Sequence, residues 1–306
     1  MGTPTSICEY SGHTAWVSTL SWSPDSRRIV SGSGDGTAQV WDARTGETLL
    51  LYRGHIADVE AVAWSPQGGY IASGGIDKTV QIWDAMTGET VVTYRGHTAW
   101  VRRGLAWSPD GMRIASGAWD STVQVWEAFS GKTLLLYRGH AGIVYDVAWS
   151  PDGKYMASGG GAPDGTVQVW HVDTGEQVLL YRGHCIRSQS VHGVTWSPDG
   201  TRLASVQLGP GVRVWDAMTG QDLLIREYSK EPLAWSPDGR FLISTRTGGI
   251  EQWDASTGQV LTTYADRQYK VHALGWSSDG TRIAAGGYDK VVKVWEAATI
   301  EEAEEE

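Results

Sequence analysis

Residues 12–52 read GHTAWVSTLSWSPDSRRIVSGSGDGTAQVWDARTGETLLLY, and copies of this stretch follow one another to the end of the chain. Two tryptophans mark each copy, one typically in Trp-Ser-Pro and one in a motif such as Val-Trp-Asp, and they recur every 42 or 43 residues where the copies are cleanest. The seven pairs are Trp22 and Trp41, Trp64 and Trp83, Trp107 and Trp126, Trp149 and Trp170, Trp196 and Trp215, Trp235 and Trp253, and Trp276 and Trp295. A fixed period of this length predicts a ring or array of small repeated units.

One copy contains the signals of four short strands separated by tight turns. Pro24-Asp25, Gly34-Asp35-Gly36 and Thr45-Gly46 are turn sequences, because proline presets φ and glycine supplies positive φ. The segments between them are rich in β-branched and aromatic residues, which favour strands. The four predicted strands are 17–22, 28–33, 37–42 and 48–52.

The early Gly-His, the late Trp-Asp and the period together resemble the WD-repeat family, from residue 7 to residue 297. The resemblance implies an all-β, seven-bladed β-propeller of four-stranded antiparallel blades, forming one domain over residues 1–297. An acidic tail would occupy residues 298–306. The repeats are expected to start near residues 12, 54, 96, 139, 183, 226 and 265.

The two ends of the chain are out of phase with the repeat. The chain begins with a lone strand, 7–10, and its last repeat stops after a third strand, 291–296. The opening segment aligns with the fourth strand of the other copies. We therefore expect residues 7–10 to complete the C-terminal blade, which would close the ring and cover an open strand edge.

In the WD-repeat family a loop His, a second-strand Ser, a turn Asp and a third-strand Trp form a hydrogen-bonded tetrad. The resemblance places these tetrads at His13, Ser31, Asp35 and Trp41; His55, Ser73, Asp77 and Trp83; His97, Ser116, Asp120 and Trp126; and His140, Ser158, Asp164 and Trp170. A Ser, a His and an Asp together also suggest a catalytic triad. A nucleophile is needed only once, however, and this set recurs four times, so we interpret it as structural.

The last three repeats lose tetrad residues. The fifth has Gly209 in place of Asp, and the seventh has Ala285 and Arg267 in place of Ser and His. Two interpretations stay open, namely drift under relaxed constraint and reshaping of this sector for a ligand.

Composition restricts the function. The formal net charge is −10, of which five charges belong to the terminal glutamates, and no run of Lys or Arg is present, so we expect no nucleic-acid partner. The apolar stretches are too short for a transmembrane helix, and the N-terminus lacks a signal peptide, so we expect no membrane association. Cys8 and Cys185 fall in different repeats, which is typical of a reducing, cytoplasmic setting.

Several aromatic residues lie outside the repeat pattern, at positions that should open onto the face carrying the Gly-His loops. They include Trp16, Trp100 and Trp119, and Tyr228 and Tyr269 accompany them. Because Trp, Tyr and Arg dominate binding hot spots, we predict a partner-binding surface there, although the indoles could instead lie flat over the loops. The predicted surface consists of Trp16, Trp100, Trp119, Tyr145, Tyr288, Arg102, Arg103, Asp58, Glu60 and Ile76.

The blades of a propeller surround a central channel, and a smaller polar group should lie at the mouth of this channel. His192, Glu231 and His272 occupy the same strand position in consecutive blades, which makes them a weak candidate for a metal or small-ion site. Arg102-Arg103-Gly104 carries one extra residue, which indicates a β-bulge, and Arg103 of this bulged blade also falls at the channel mouth.

The sequence therefore predicts a monomeric, non-enzymatic platform without a cofactor. It would bind a protein or peptide on the face that carries the Gly-His loops, which is the top face in this family. The alternative is a propeller that binds a small molecule or ion at the channel mouth. Near-identical repeats resemble those of prokaryotic WD-repeat sensors, where such arrays often follow a kinase or nucleotide-hydrolysing domain. The segment could thus belong to a larger signalling protein.

Overall fold

Short strands separated by tight turns build the whole described part of the chain. A computed structural model describes residues 4–184, 190–207, 211–246, 249–264 and 270–299. Within these ranges there are 28 strands in seven four-stranded antiparallel sheets, which confirms the predicted seven-bladed propeller. No helix in these ranges is long and apolar enough to cross a membrane.

The strands are numbered in chain order, and β1 belongs to the last blade. They are β1 (Cys8–Tyr10); β2 (Val17–Trp22), β3 (Arg28–Ser33), β4 (Ala38–Asp42) and β5 (Thr48–Tyr52) in blade one; β6 (Val59–Trp64), β7 (Tyr70–Gly75), β8 (Val80–Asp84) and β9 (Thr90–Tyr94) in blade two; β10 (Val101–Trp107), β11 (Arg113–Ala118), β12 (Val123–Glu127) and β13 (Thr133–Tyr137) in blade three; β14 (Val144–Trp149), β15 (Tyr155–Gly160), β16 (Val167–His171) and β17 (Gln177–Tyr181) in blade four; β18 (Val191–Trp196), β19 (Arg202–Gln207), β20 (Gly211–Asp216) and β21 (Asp222–Arg226) in blade five; β22 (Lys230–Trp235), β23 (Phe241–Arg246), β24 (Gly249–Asp254) and β25 (Val260–Tyr264) in blade six; and β26 (Val271–Trp276), β27 (Arg282–Gly287) and β28 (Val292–Glu296) in blade seven.

Three strands begin one residue later than the sequence predicts, at Cys8, Ala38 and Val292, and the start of the third strand of blade one has an identifiable reason. The third strand of blade one begins at Ala38, because Thr37 belongs to the preceding turn. Its backbone N–H and its hydroxyl both donate to the carboxylate of Asp35, at 3.0 and 2.6 Å. An Asp that bonds the backbone two residues on holds a turn in place of a strand ladder.

The core lies between consecutive blades. Val40 of blade one and Trp83 of blade two, for example, belong to one buried cluster. At the end of the outer strand of blade one, Tyr52 lies flat on Trp83, with ring centroids 4.4 Å apart. Its hydroxyl donates to Gln81 of blade two at 2.6 Å. The seam between blades one and two, where their facing sheets pack, thus joins apolar stacking to a polar contact between neighbouring blades.

The seam between blades five and six uses different residues for the same purpose. Arg226 stands where the other outer strands end in Tyr, and its guanidinium lies 4.8 Å from the ring centroid of Trp253. Glu251 accepts a hydrogen bond from this guanidinium at 2.6 Å. A cation–π contact and an ion pair therefore replace the aromatic stack and the Tyr–Gln bond.

The ring closes as the sequence predicts. Strand β1 pairs antiparallel with β28, with Cys8 opposite Val294 and Tyr10 opposite Val292. Ile7 precedes the strand, but its N–H also bonds to the carbonyl of Val294, at 2.8 Å. The ring of Tyr10 stacks on Trp41 of blade one, with 4.6 Å between centroids. The N-terminal strand therefore joins the last blade to the first.

The tetrads contain a continuous chain of hydrogen bonds. In blade two the indole of Trp83 donates to Ser73 at 3.1 Å, Ser73 donates to Nε2 of His55 at 2.8 Å, and Nδ1 of His55 donates to Asp77 at 2.8 Å. Burial alone would raise the pKa of Asp77, but hydrogen bonds from His55 and Thr79 lower it to about 2. The same contacts occur in His13, Ser31, Asp35 and Trp41; in His97, Ser116, Asp120 and Trp126; and in His140, Ser158, Asp164 and Trp170.

The later blades keep parts of this network. In blade five Ser205 lies 2.7 Å from His184 and accepts from the indole of Trp215 at 2.9 Å. In blade six Ser244 accepts from Trp253 at 2.9 Å. Gly209 and Arg267, which stand in place of the tetrad Asp of blade five and the tetrad His of blade seven, lie outside the described residues.

Removal of the closing strand should destabilise the protein. Deleting residues 1–10 exposes the edge of β28 and removes the buried ring of Tyr10, so we expect a lower melting temperature or aggregation. The control is deletion of residues 1–6, which leaves β1 intact. Equal melting temperatures for the two truncated proteins, measured by circular dichroism, would contradict the role of β1 in closure.

The tetrads predict unequal effects of one substitution at two sites. Asp77→Ala leaves His55 without its buried acceptor, which should cost about 1–3 kcal/mol of unfolding free energy. Asp289→Ala should cost less, because blade seven lacks the tetrad Ser and the carboxylate of Asp289 accepts a long 3.3 Å bond from Val291. Chemical denaturation of both variants measures the difference, and equal losses would refute a stabilising role for the tetrad.

Candidate functional site: the top face and the channel mouth

The connections between strands alternate between two ends of the propeller, because neighbouring strands run antiparallel. The end with the Gly-His loops, such as 53–58, and the turns after second strands, such as 76–79, is here named the top face. The opposite end, with turns such as 23–27 and 43–47, is the bottom face. Most of the predicted partner-binding residues lie at the top face.

The largest aromatic group on the top face joins blades three, four and five. Trp100 packs on Trp119 with centroids 4.7 Å apart, Trp119 contacts Tyr145 at 6.4 Å, and Tyr145 stacks on His192 at 4.3 Å. We name these four residues the aromatic cluster. It runs inward to the channel, so the structure brings together residues that are far apart in the sequence.

Members of the aromatic cluster differ in accessibility. Trp100 is 38% exposed, whereas Trp119 is half-buried. The indole nitrogen of Trp119 is buried and has no hydrogen-bond partner in the described part of the chain. The guanidinium of Arg102 lies 5.9 Å from the ring of Trp119. Trp119 therefore packs beneath Trp100, and Trp100 is the more accessible of the two side chains.

A second aromatic group covers the seam between blades seven and one. Trp16 lies 6.3 Å from Tyr288, which contacts His272 at 4.7 Å. The indole of Trp16 also covers Gly34, where a Cβ atom would come within 2.6 Å of it. Trp16 is still 37% exposed, so it both lies flat over a loop and contributes to the surface. Tyr228 is exposed, and Tyr269 lies outside the described residues.

The remaining predicted residues of blade two have mainly supporting contacts. Glu60 is buried and accepts from Nε of Arg102 at 2.9 Å, which fixes that guanidinium. The carbonyl of Asp58 accepts from the N–H of Ile76 at 3.1 Å, and both side chains are half-buried. Ile56, which the sequence analysis did not select, is 93% exposed.

Arg103 lies in the channel, as one of its two predicted placements has it, and not on the predicted partner-binding surface. The register of β10 and β11 shifts between Val101 and Leu105, as expected for a bulge, and Arg103 has φ +59°. This left-handed conformation turns its side chain into the channel, where the guanidinium forms an ion pair with Glu231 of blade six. Only 17% of the Arg103 side chain is exposed. The extra residue in blade three therefore allows Arg103 to form an ion pair with blade six across the channel.

The contacts of Glu231 argue against a metal at the channel mouth. One carboxylate oxygen is bonded to Arg103 and the other lies 3.1 Å from Nδ1 of His192. Burial raises the pKa of Glu231, but the His192 hydrogen bond and the Arg103 charge outweigh it and lower the pKa to about 2. Among the described residues no group of His, Cys, Asp and Glu could hold a metal ion. The guanidinium occupies the place where a cation would bind.

Two further groups line the cavity of about 220 Å³ at this mouth. Burial and then the charge of Arg103 lower the pKa of His272 to about 4. The carboxylate of Asp146 accepts from the N–H groups of Val194 and Val147, and burial raises its pKa to about 7. The sequence analysis missed Asp146, because its role as an acceptor between blades four and five appears only in the folded ring.

A set of exposed basic residues also lies on the top face and was not predicted from the sequence. Each follows the last Tyr of an outer strand in the sequence Tyr-Arg-Gly-His, at equivalent positions of four consecutive repeats. They are Arg53, Arg95, Arg138 and Arg182, and all four are exposed. No cluster of basic residues is visible in the linear sequence, because these arginines are a whole repeat apart. The fold brings them to the outer edge of the top face, here named the rim.

Comparison with known proteins agrees with the architecture. The family model described as WD domain, G-beta repeat matches residues 4–42, 46–84, 88–127, 131–171, 175–216 and 258–296. Residues 217–257 lie outside these matches, and they contain Arg226 of the altered seam and strands β22 to β24 of blade six.

Individual relatives share only one repeat with the chain. Denticleless protein homolog of Gallus gallus is 51% identical over 41 residues, which is 13% of this chain and 6% of that protein. Gem-associated protein 5 of Homo sapiens is 58% identical over 40 residues, which is 13% of this chain and 3% of that protein. Periodic tryptophan protein 2 homolog of Schizosaccharomyces pombe is 38% identical over 47 residues, which is 15% of this chain and 6% of that protein.

These relatives are much longer than the aligned segments, so they do not transfer an activity. The six family-model matches, in contrast, cover most of the chain, and the tetrads and blade topology agree with them. The chain therefore belongs to the WD domain, G-beta repeat family.

Proposed function

We propose that this propeller binds a protein or peptide partner on its top face, with Trp100 as the central anchor. The observation that carries the proposal is the 38% exposure of Trp100 above Trp119 and Tyr145. A large aromatic side chain held by other rings loses little conformational entropy when a partner covers it. Such residues supply most of the binding energy in protein interfaces.

The fold supports this proposal because it presents the aromatic cluster on rigid strands and short turns. Proteins of this family generally act as interaction scaffolds and not as enzymes. We extend that role to this chain and further propose a monomeric, non-enzymatic, cytoplasmic module without nucleic-acid or membrane partners. The residues proposed to contact the partner are Trp16, Trp100, Tyr288, Arg102 and Ile76, with Trp119, Tyr145, Asp58 and Glu60 in support.

The channel mouth is less suited to a small ligand. Arg103 and Glu231 satisfy each other there, and a ligand would have to break this half-buried ion pair. The cavity beside the pair is also small, at about 220 Å³, compared with typical ligand pockets. A protein partner on the exposed aromatic surface requires neither change.

Trp100→Ala should weaken partner binding and leave the fold intact. Loss of a central interface Trp commonly costs about 2 kcal/mol or more of binding free energy. The matched control is Phe129→Ala, which removes an exposed aromatic ring from the bottom face. Trp83→Ala should instead unfold the protein, because that indole is fully buried.

Quantitative affinity capture from source lysate tests this prediction. We expect at least one protein to be retained by the wild type and by Phe129→Ala and lost with Trp100→Ala, while both variants melt like the wild type. If every retained protein binds Trp100→Ala as well as wild type, the top-face proposal is wrong.

A further inference from the structure

Charge is divided between the two faces of the propeller. Besides the four rim arginines, the top-face connections carry exposed Lys78 and Lys290, and Lys230 is exposed at the start of β22. The bottom-face turns carry exposed acids in nearly every blade, for example Asp25, Asp152 and Asp173. Although the formal net charge is −10, exposed basic groups outnumber exposed acidic ones on the top face among the residues that the structure describes.

The rim arginines lack internal partners. Within the described ranges none of Arg53, Arg95, Arg138 and Arg182 forms a hydrogen bond, an ion pair or a ring contact. On the bottom face, in contrast, basic groups face acids: Arg113 lies 3.0 Å from Asp173. Lys154 similarly lies 3.7 Å from Asp152. The bottom cations are thus partly neutralised, whereas the rim arginines remain available to an external anion.

The acids of the top face do not compensate this charge at the surface. Asp77 and Asp120 face His55 and His97 in the tetrads, and their side chains are only 3% and 8% exposed. An approaching molecule therefore meets guanidinium groups at the rim. Inside the rim it meets apolar side chains, namely Ile56 at 93% exposure and Trp100 at 38%.

We infer that the partner of the top face is a carboxylate-rich peptide segment that also carries apolar side chains. This inference rests on the proposed top-face function and specifies the chemistry of the partner. Its Asp and Glu side chains would pair with the rim arginines, and its apolar side chains would cover Ile56 and Trp100. The acidic bottom face would repel the same segment, so the charge distribution also orients the encounter.

A nucleic acid fits the same surface less well. Its phosphates need a continuous basic track, whereas the rim has one arginine in each of four repeats and the bottom-face turns carry exposed acids. The exposed aliphatic side chain of Ile56 has no role in stacking bases but matches an apolar side chain of a peptide. A peptide segment is therefore the occupant that the surface favours.

The test is selection from a library of random, unphosphorylated dodecapeptides on the intact chain. Three proteins are compared: the wild type, a top variant and a bottom variant that loses the same charge from exposed bottom-face residues. The top variant is Arg53→Gln, Arg95→Gln, Arg138→Gln and Arg182→Gln, and the bottom variant is Arg27→Gln, Arg44→Gln, Lys132→Gln and Lys154→Gln. A fluorescein-labelled peptide from the enriched pool, and a labelled single-stranded oligonucleotide, are then titrated by fluorescence anisotropy.

We expect the wild type and the bottom variant to enrich acidic peptides with apolar residues, and the top variant to lose this enrichment. The peptide should bind the top variant about tenfold more weakly and should bind the wild type more weakly as salt is raised. The salt series uses the unaltered protein, so it holds even if the top variant folds poorly.

Other outcomes overturn the inference in distinguishable ways. A neutral or basic enriched pool that is lost with Trp100→Ala refutes the acidic partner but leaves the proposed function standing. Tight binding of the oligonucleotide that depends on the rim arginines replaces the peptide with a nucleic acid. No enrichment, or enrichment that neither Trp100→Ala nor the top variant alters, counts against both proposals.

Discussion

The structure depends on the buried tryptophan at each seam between blades. Trp83 is fully buried, donates its N–H to Ser73 and is covered by Tyr52 from the blade before it. One side chain thus links the hydrogen-bonded tetrad of its own blade to the apolar core of the seam. A single blade cannot bury its indole, so stability arises only when neighbours stack and the ring closes. The strand at Cys8–Tyr10 matters for the same reason, because Tyr10 covers Trp41 at the last seam.

Seams of this kind make the top face rigid, and rigidity gives its few exposed side chains their significance. Trp100 stands on Trp119, and Glu60 holds Arg102 beside that ring. A partner that covers this surface loses little free energy in ordering it. The Arg103–Glu231 pair has a different effect, because it ties blade three to blade six across the channel, and a ligand bound there would have to break this ion pair.

The repeat made most of the fold predictable from the sequence, including the closure by residues 7–10, since the period fixes which strand is missing. The direction of individual side chains was less predictable. A one-residue insertion predicts a bulge and allows Arg103 to lie either at the channel mouth or on the partner surface, and only its positive φ in the folded ring turns the side chain into the channel. The burial of Trp119 depends on Tyr145 of the next blade. The four rim arginines are a whole repeat apart, and only the ring brings them together.

The central claim is that rigid seams leave Trp100 exposed on the top face as a docking anchor. Hydroxyl-radical footprinting with mass spectrometry tests it directly, because oxidation of each tryptophan follows its accessibility. In the free protein we expect fast oxidation of Trp100 and Trp16, slow oxidation of Trp119, and protection of Trp83. Bound partner or selected peptide should protect Trp100. Protection of Trp100 equal to that of Trp83 in the free protein, or unchanged oxidation of Trp100 in the complex, would contradict the account.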